Sequence, residues 1–456
     1  MGKEVPTVKI PFFGNKDKKE KKNSLLRRGG ENKPVVAEEK KTRPGRQMQQ
    51  QASKPDEYYV KLSGTAQAWR YAVTVLLLVF AVGMAFIFSS EITAENFGLL
   101  LRNASFSFPG EDTNFETVRY DADLKMDFAV YKEYFAVAAT TGLKMYNHRG
   151  NVVLEEDVQM SAPTVASGEN YILVYDREGR SYMICNSVTT LKQEKLDHPI
   201  HDADMSDEGS YLFVTSSENY LSVLQIYNRS FNLKRELQTD RYPVAAKLSR
   251  QADRMLFLSY KTTDAGALEG HVSFYDLSDK TEIVADRIYN ELPVCAAITD
   301  EGAAVVFENR AVFYDASGAE KGVYDFGGRT PSRCAFGKND LALVFESDKV
   351  KAKNEICAID LTSGGLLRSI TFTGRIKGLW RAGAYLFIGE KERLHCYAAE
   401  TFEEQIFEVD LPEKVLAGQG KTLFFCYGNK AENIYRSITV PGAAPGGETE
   451  TPSDNT

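Results

Sequence analysis

Two groups of side chains in this sequence could carry chemistry, and the first is a short segment rich in histidine and aspartate. Residues 198–204 hold two histidines and two aspartates, which are side chains that bind divalent metals. If the segment is a strand, alternate side chains share a face, so His198, Asp202 and Asp204 would lie together while His201 points away. Two interpretations stay open: a metal site with those three residues as ligands, or a structural polar patch. We expect the second, and therefore no metal.

The second group is the set of cysteines, which follow no metal-binding or redox spacing. The six are Cys185, Cys295, Cys334, Cys357, Cys396 and Cys426. Single cysteines within strands usually act as small buried hydrophobes. Cys295 and Cys334 occupy equivalent positions in adjacent sequence repeats and are the candidate disulfide pair. The sequence has no glycine-rich phosphate loop, no nucleophile elbow and no zinc-protease motif. It therefore predicts a protein that is not an enzyme and holds no cofactor.

The elements that position these residues are strands that recur along most of the chain. Apolar, strand-like runs begin at Tyr134, Tyr171, Tyr211, Met255, Ala303, Leu341, Tyr385 and Thr422, and successive starts are 37 to 48 residues apart. A period near forty with four short strands in each unit is typical of a β-propeller. A flat array of β-sandwiches is the alternative, but it would not repeat one internal order. We predict an all-β propeller over residues 113–440.

The number of blades is predicted from the same repeats. Eight is the expected count, and seven is the alternative. The eighth repeat ends with residues 434–440, which we predict to be its third strand. Its missing outer strand could come from residues 115–120, which would close the ring and remove an exposed edge.

One stretch before the repeats has the composition of a membrane span. Residues 71–88 contain no charge, no proline and one glycine. Eighteen residues make a helix of roughly 27 Å, and the flanking Trp69 and Ser89 extend it toward the thickness of a hydrocarbon core. We predict a transmembrane signal-anchor helix over residues 69–89, with the lipid bilayer as its partner.

Charge predicts the orientation of this span. Residues 1–70 contain 17 Lys and Arg but 8 Asp and Glu, a net charge of +9, whereas the remainder of the chain carries −17. By the positive-inside rule the N-terminus is cytoplasmic and the propeller is extracytoplasmic. We therefore expect a single-pass protein of the cell membrane.

The segments outside the span and the propeller read as irregular. Residues 1–68 are rich in Lys, Glu, Gln and Pro, which predicts a disordered basic arm that contacts the inner leaflet or a cytoplasmic protein. Acidic residues interrupt its lysine runs, so nucleic-acid binding is not expected. Residues 90–112 are predicted to be a juxtamembrane connector, and residues 441–456 a disordered tail.

Several short motifs resemble known propellers. Residues 356–364, ICAIDLTSG, look like the strand and turn of quinoprotein-like propellers. Residues 206–209 and 299–302 resemble the Ser-Pro-Asp-Gly turn of WD40-like and TolB-like propellers. The whole layout resembles an uncharacterised family of Gram-positive bacterial single-pass membrane proteins with an external propeller. The docking tryptophan of true quinoproteins is not matched, since the tryptophans here are Trp69 and Trp380.

Three functions are compatible with these features. The expected one is a membrane-anchored, non-catalytic module that binds a protein or an envelope polymer through its propeller. The first alternative is a quinoprotein-like or hydrolytic enzyme, which would need carboxylates that converge on the propeller axis. The second is a transmembrane sensor, which would need the single span to relay a signal.

Overall fold

The computed structural model describes residues 69–80, 82–83, 117–278, 282–418 and 422–440. Within the predicted span, residues 69–80 and 82–83 are helical, and the rest of it, to Ser89, lies outside the described residues. The predicted arm, connector and tail, residues 1–68, 90–112 and 441–456, lie outside them as well. In the described part of the chain, no helix combines the length and the apolar character needed to cross a membrane.

The rest of the described chain is built almost wholly of short strands. The first is β1 (Val118–Arg119). Blade 1 contains β2 (Met126–Tyr131), β3 (Tyr134–Ala139), β4 (Gly142–Tyr146) and β5 (Val152–Asp157). Blade 2 contains β6 (Pro163–Ser167), β7 (Ile172–Asp176), β8 (Ser181–Cys185) and β9 (Thr190–Lys195). Blade 3 contains β10 (Asp202–Met205), β11 (Tyr211–Thr215), β12 (Ser222–Tyr227) and β13 (Leu233–Thr239). Blade 4 contains β14 (Tyr242–Leu248), β15 (Arg254–Thr262), β16 (Leu268–Asp276) and β17 (Glu282–Tyr289).

The second half of the ring repeats the arrangement. Blade 5 contains β18 (Pro293–Thr299), β19 (Gly302–Phe307), β20 (Arg310–Asp315) and β21 (Glu320–Asp325). Blade 6 contains β22 (Arg333–Phe336), β23 (Asp340–Asp348), β24 (Lys353–Asp360) and β25 (Leu366–Thr373). Blade 7 contains β26 (Gly378–Ala382), β27 (Tyr385–Gly389), β28 (Leu394–Ala398) and β29 (Glu404–Phe407). Blade 8 contains β30 (Lys414–Ala417), β31 (Leu423–Cys426) and β32 (Lys430–Asn433), and a 3-10 turn, Tyr435–Ser437, follows.

The strands pair into eight four-stranded antiparallel sheets, which confirms the predicted all-β propeller and the count of eight blades. Each apolar run that marked a repeat in the sequence lies in the second strand of a blade. The first strands of neighbouring blades pack against each other and form the inner wall of the ring.

Side-chain alternation explains why the blades must stack. In β3, Phe135 packs toward blade 8 while Ala136 packs toward blade 2. A strand presents its side chains to both faces of its sheet, so one blade alone would leave both apolar faces in water. Among the described residues the core divides into eight hydrophobic clusters, one at each junction between neighbouring blades. The core is therefore distributed around the ring.

The ring is closed by the strand that comes first in the chain. β1 pairs with β32 as the outermost strand of blade 8, with Val118 opposite Ala431. The Val118 side chain is fully buried in the cluster between blades 8 and 1. The Tyr120 hydroxyl donates to the carbonyl of Lys430 at 2.7 Å. The predicted closure by a strand within residues 115–120 is thus confirmed.

One predicted strand is wrong. Residues 434–440 were expected to be the third strand of the eighth repeat, but that strand is β32. The alternating apolar residues of 434–440 pack onto the cluster between blades 7 and 8 without pairing in a sheet. Gln405 holds this segment in place: its amide donates to the Ser437 carbonyl at 2.7 Å. The apolar alternation therefore reflects packing on a blade.

We expect Val118→Asp to destabilise the whole ring, because it places an unpaired carboxylate in the cluster that closes it. The loss of unfolding free energy should be on the order of 4 kcal/mol. Thermal unfolding of the purified full-length protein measures it. The matched control is Arg119→Ala, an exposed neighbour on the same strand, which should cost less than about 0.5 kcal/mol. Equal effects of the two variants would show that β1 does not close the ring.

Candidate functional site

The innermost strands pose a hydrogen-bonding problem that aspartates solve. Each innermost strand pairs with its own blade along one edge only, so some amide groups on the other edge need acceptors. In blade 1, the Asp127 carboxylate accepts from the Val165 amide of blade 2 at 3.0 Å. Its other oxygen accepts from the Lys414 ammonium of blade 8 at 2.7 Å. One side chain thus ties three blades together.

The aspartates of residues 198–204 do the same work between blades 3 and 4. The Ala246 amide donates to Asp202 at 3.1 Å, and the Leu248 amide donates to Asp204 at 2.8 Å. The second Asp204 oxygen lies 3.3 Å from the Lys247 ammonium. The predicted alternation is correct for these two aspartates, which share the face toward blade 4. Their lone pairs are used by the protein itself.

Burial and neighbouring charges have opposite effects on the pKa values of Asp204 and Lys247. Burial raises the pKa of the Asp204 carboxyl, although Lys247 and the Leu248 amide pull it down. Burial alone would lower the pKa of Lys247, but the carboxylates of Asp204 and Asp202 outweigh it and the pKa is raised. The positive charge of Lys247 is thus held close to the carboxylates, as in an ion pair that joins two blades.

The structure does not bring the two histidines into this arrangement. The expectation that His198 shares the face of Asp202 and Asp204 is wrong, because the strand begins only at Asp202 and His198 lies in the preceding loop. His201 Nδ1 lies 3.2 Å from the Glu178 carboxylate. In the described part of the chain, no three His, Cys, Asp or Glu side chains are grouped as metal ligands would be.

We expect Asp204→Ala to cost about 1–3 kcal/mol of unfolding free energy, because it leaves the Leu248 amide without an acceptor and Lys247 without a partner. His198→Ala should change it by less than about 0.5 kcal/mol. Thermal unfolding in EDTA and with added Zn²⁺ or Ca²⁺ tests the alternative. A metal-dependent rise in Tm that both variants abolish would contradict the structural role.

The cysteines separate into two groups. Cys185, Cys357, Cys396 and Cys426 are buried, and all six are free thiols. Burial raises the pKa of the Cys185 and Cys396 thiols to about 12 in each case. Cys295 and Cys334, the candidate pair, are only partly buried, and their sulfur atoms lie 3.1 Å apart across the junction of blades 5 and 6. The four buried thiols are inert packing groups, and the remaining two are neighbours.

The two faces of the ring differ in what they carry. The upper face carries the loops between second and third strands, such as residues 263–267 and 349–352, and the connections between blades. The lower face carries the turns between first and second strands, such as residues 206–210. The described chain enters the ring on the lower face at Thr117, beside the turn at Gly150. The last strand, β32, also ends on the lower face.

The upper face is uneven because the blades differ in height. The buried part of β15 ends at Ser259, and three further residues continue the strand upward. In blade 6, β23 likewise continues for three residues beyond Phe345. In blade 5, β19 ends with its buried residues. Three residues of strand span roughly 10 Å. Blade 5 therefore forms a low saddle between two taller hairpins.

The wall of the saddle on blade 4 is aromatic and apolar. Tyr242 and Tyr260 stand opposite each other in the sheet, and their rings stack with centroids 5.2 Å apart. Both share the sheet face of Leu258, which packs toward blade 5. Leu268, two positions along β16 from the residue opposite Tyr260, extends this surface. Tyr242 and Leu268 are each 45% exposed.

The wall on blade 6 carries charges of both signs, because Asp348 stands opposite Lys353 and Glu355 follows on the same face of the strand. Lys353 shares the face of Cys357, which packs toward blade 5, and the tip of the hairpin adds Lys349 and Lys351. At its base the Arg329 guanidinium lies 4.3 Å from the centre of the Phe345 ring. Hydrogen bonds from Ser369 and Arg329 hold the pKa of Glu355 below its usual range. Arg329 is thereby fixed between a ring and a carboxylate.

These cations continue across the upper face. Nine exposed cationic side chains form what we call the basic sector: Arg329, Arg333, Lys349, Lys351, Lys353, Arg375, Lys377, Lys391 and Arg393. Within the described residues, only Arg329, Lys349 and Lys391 of the nine form ion pairs. The sector stands out because the chain from residue 71 onward carries a net charge of −17. No sequence motif marks the basic sector or the apolar wall on blade 4.

Eight four-stranded blades closed by the first strand define the protein as a β-propeller. The chain belongs to DUF5711, a family of unknown function whose model matches residues 112–435.

Solved structures resemble the ring with little sequence identity. The β-propeller domain of Cps50 (Swd1) from Myceliophteria thermophila is 12% identical, covers 64% of this chain and 99% of its own, and gives a TM-score of 0.40. Sqt1 of Saccharomyces cerevisiae is 8% identical over 70% of this chain and 98% of its own, with a TM-score of 0.47. Hydrazine synthase of Kuenenia stuttgartiensis is 13% identical over 72% of this chain and 99% of its own, with a TM-score of 0.40. No curated protein sequence matches the chain.

Proposed function

We propose that this protein is a membrane-tethered, non-catalytic interaction module whose propeller binds an acidic protein on the extracytoplasmic side. The observation that carries the proposal is the saddle, where the aromatic wall of blade 4 faces the cations of blade 6 across blade 5. Exposed tyrosines with arginines nearby are the side chains that most often dominate the energy of protein interfaces. A partner would bury the apolar wall and pair its carboxylates with the basic sector.

The tether is proposed on the sequence. The uncharged stretch of residues 71–88 and the positive balance of residues 1–70 support a single span with a cytoplasmic N-terminus. The position of Thr117 and of the end of β32 fits this proposal. Both lie on the lower face of the described ring, opposite the saddle.

The alternatives are less well supported. An enzyme would need free carboxylates around the axis. The innermost strands contain three acidic residues, Asp127, Asp202 and Asp204. All three accept hydrogen bonds from the next blade. A transmembrane sensor would need a partner surface and, in addition, a single span that relays a signal.

The double variant Tyr242→Ser with Leu268→Ser should lower the amount of partner that is crosslinked to the full-length protein in intact cells. Loss of an apolar anchor worth about 2 kcal/mol weakens binding more than tenfold. The matched control, Leu233→Ser with Ile406→Ser, removes two exposed apolar side chains from outer strands far from the saddle. An equal loss in both double variants, or no loss in either, would contradict a partner site at the saddle.

Reversal of charge in the basic sector should weaken recovery of the same partner and remove most of its salt dependence. Lys351→Glu with Arg375→Glu is the variant, because neither side chain has an ion pair among the described residues. Rising ionic strength should weaken capture by the wild type, since exposed charges steer association and are screened by salt. The control is Lys195→Glu with Arg235→Glu, on outer strands. Capture by the wild type that does not respond to salt would exclude an acidic partner.

A further inference from the structure

The contact between Cys295 and Cys334 places two thiols where they can react with each other. Cys295 lies on β18 opposite Val306, and Cys334 lies on β22 opposite Leu343. Both side chains point into the junction of blades 5 and 6, and their sulfur atoms are 3.1 Å apart. That is contact distance, and only a small movement separates it from the bond length of a disulfide.

The two thiols differ chemically from the other four. Either thiol can donate to the sulfur of the other, and this contact favours loss of the first proton from the pair because it lowers the pKa of one thiol and raises that of its partner. Because the thiolate is the nucleophile in disulfide exchange, either cysteine can attack first, and its partner then resolves the mixed disulfide. The buried thiols have raised pKa values and no access to an oxidant.

The position of the pair makes a bond between them consequential. The innermost strands of blades 5 and 6 approach each other less extensively than any other neighbouring pair of innermost strands in the ring. The junction lies directly below the saddle, between its floor on blade 5 and its wall on blade 6. A covalent bond here would join the two blades where packing of the inner wall is sparsest.

We propose that Cys295 and Cys334 form a reversible disulfide that joins blade 5 to blade 6. The oxidant is a small-molecule or protein disulfide. The thiolate of one cysteine attacks one sulfur of the oxidant, whose S–S bond breaks and releases one thiolate that takes up a proton. The other cysteine then loses its proton and attacks the first cysteine in the mixed disulfide, and the second half of the oxidant leaves as a thiolate that takes up this proton. The two protein thiols are oxidised by two electrons, and the oxidant is reduced to two thiols.

The test uses the purified full-length protein in detergent, treated with either dithiothreitol or oxidised glutathione. After denaturation, the number of thiols that react with a maleimide reagent should fall from six to four, and peptide mapping should recover a crosslink between the peptides of Cys295 and Cys334. The oxidised protein should unfold roughly 5 °C higher than the reduced protein, because the bond restricts the unfolded chain.

The other cysteines supply an internal control, since all four should remain alkylatable in both states. Cys295→Ser and Cys334→Ser should each abolish the difference in Tm between the two treatments. Mapping of the wild type decides the proposal even if a variant fails to fold. Six free thiols after oxidation, a crosslink to another cysteine, or a persistent glutathione adduct at Cys295 or Cys334 would overturn it.

Discussion

The core of the ring and the hydrogen bonds of its inner strands both depend on closure of the ring. No blade can bury both of its faces alone, and each innermost strand leaves one edge without a sheet partner. The first need is met by eight junction clusters, the last of which forms only because Val118 completes blade 8. The second is met in part by aspartates that reach from one blade to the next, as Asp127, Asp202 and Asp204 do. Carboxylates near the axis thus stabilise the wall of the channel, and this use competes with a metal or a catalytic role.

Much of the fold could be predicted because the physics of a blade is local. A buried second strand must be apolar over about five residues, so Tyr211 to Thr215 and its equivalents mark the period directly. The third strand of blade 8, Lys430 to Asn433, was not predicted because it is short and polar. The segment that follows it, residues 434–440, has the stronger apolar pattern. Periodicity reports which side chains are buried, but it does not say whether burial comes from pairing in a sheet or from packing on one.

The candidate site could be predicted less well, because it depends on contacts between repeats. The roles of Asp202 and Asp204 require Ala246 and Leu248 of the next blade, some 44 residues away along the chain. The proximity of Cys295 and Cys334 was predictable in part, since equivalent positions of adjacent repeats lie close together. The length of the repeats indicates the saddle, although motifs do not. The repeats that begin at Met255 and Leu341 are longer than the one between them, which begins at Ala303. The additional residues of a long repeat extend its second and third strands, so that the hairpin rises above the upper face.

The central claim is that a partner occupies the upper face at the saddle, and site-specific photocrosslinking in intact cells tests it most directly. A photoreactive amino acid would replace Leu268 or Lys351 on the upper face, and Glu208 or Gln251 on the lower face, one position at a time in the full-length protein. We expect one adduct of the same mass from both upper positions and none from the lower ones. Adducts from the lower positions alone, or equal adducts from both faces, would contradict it.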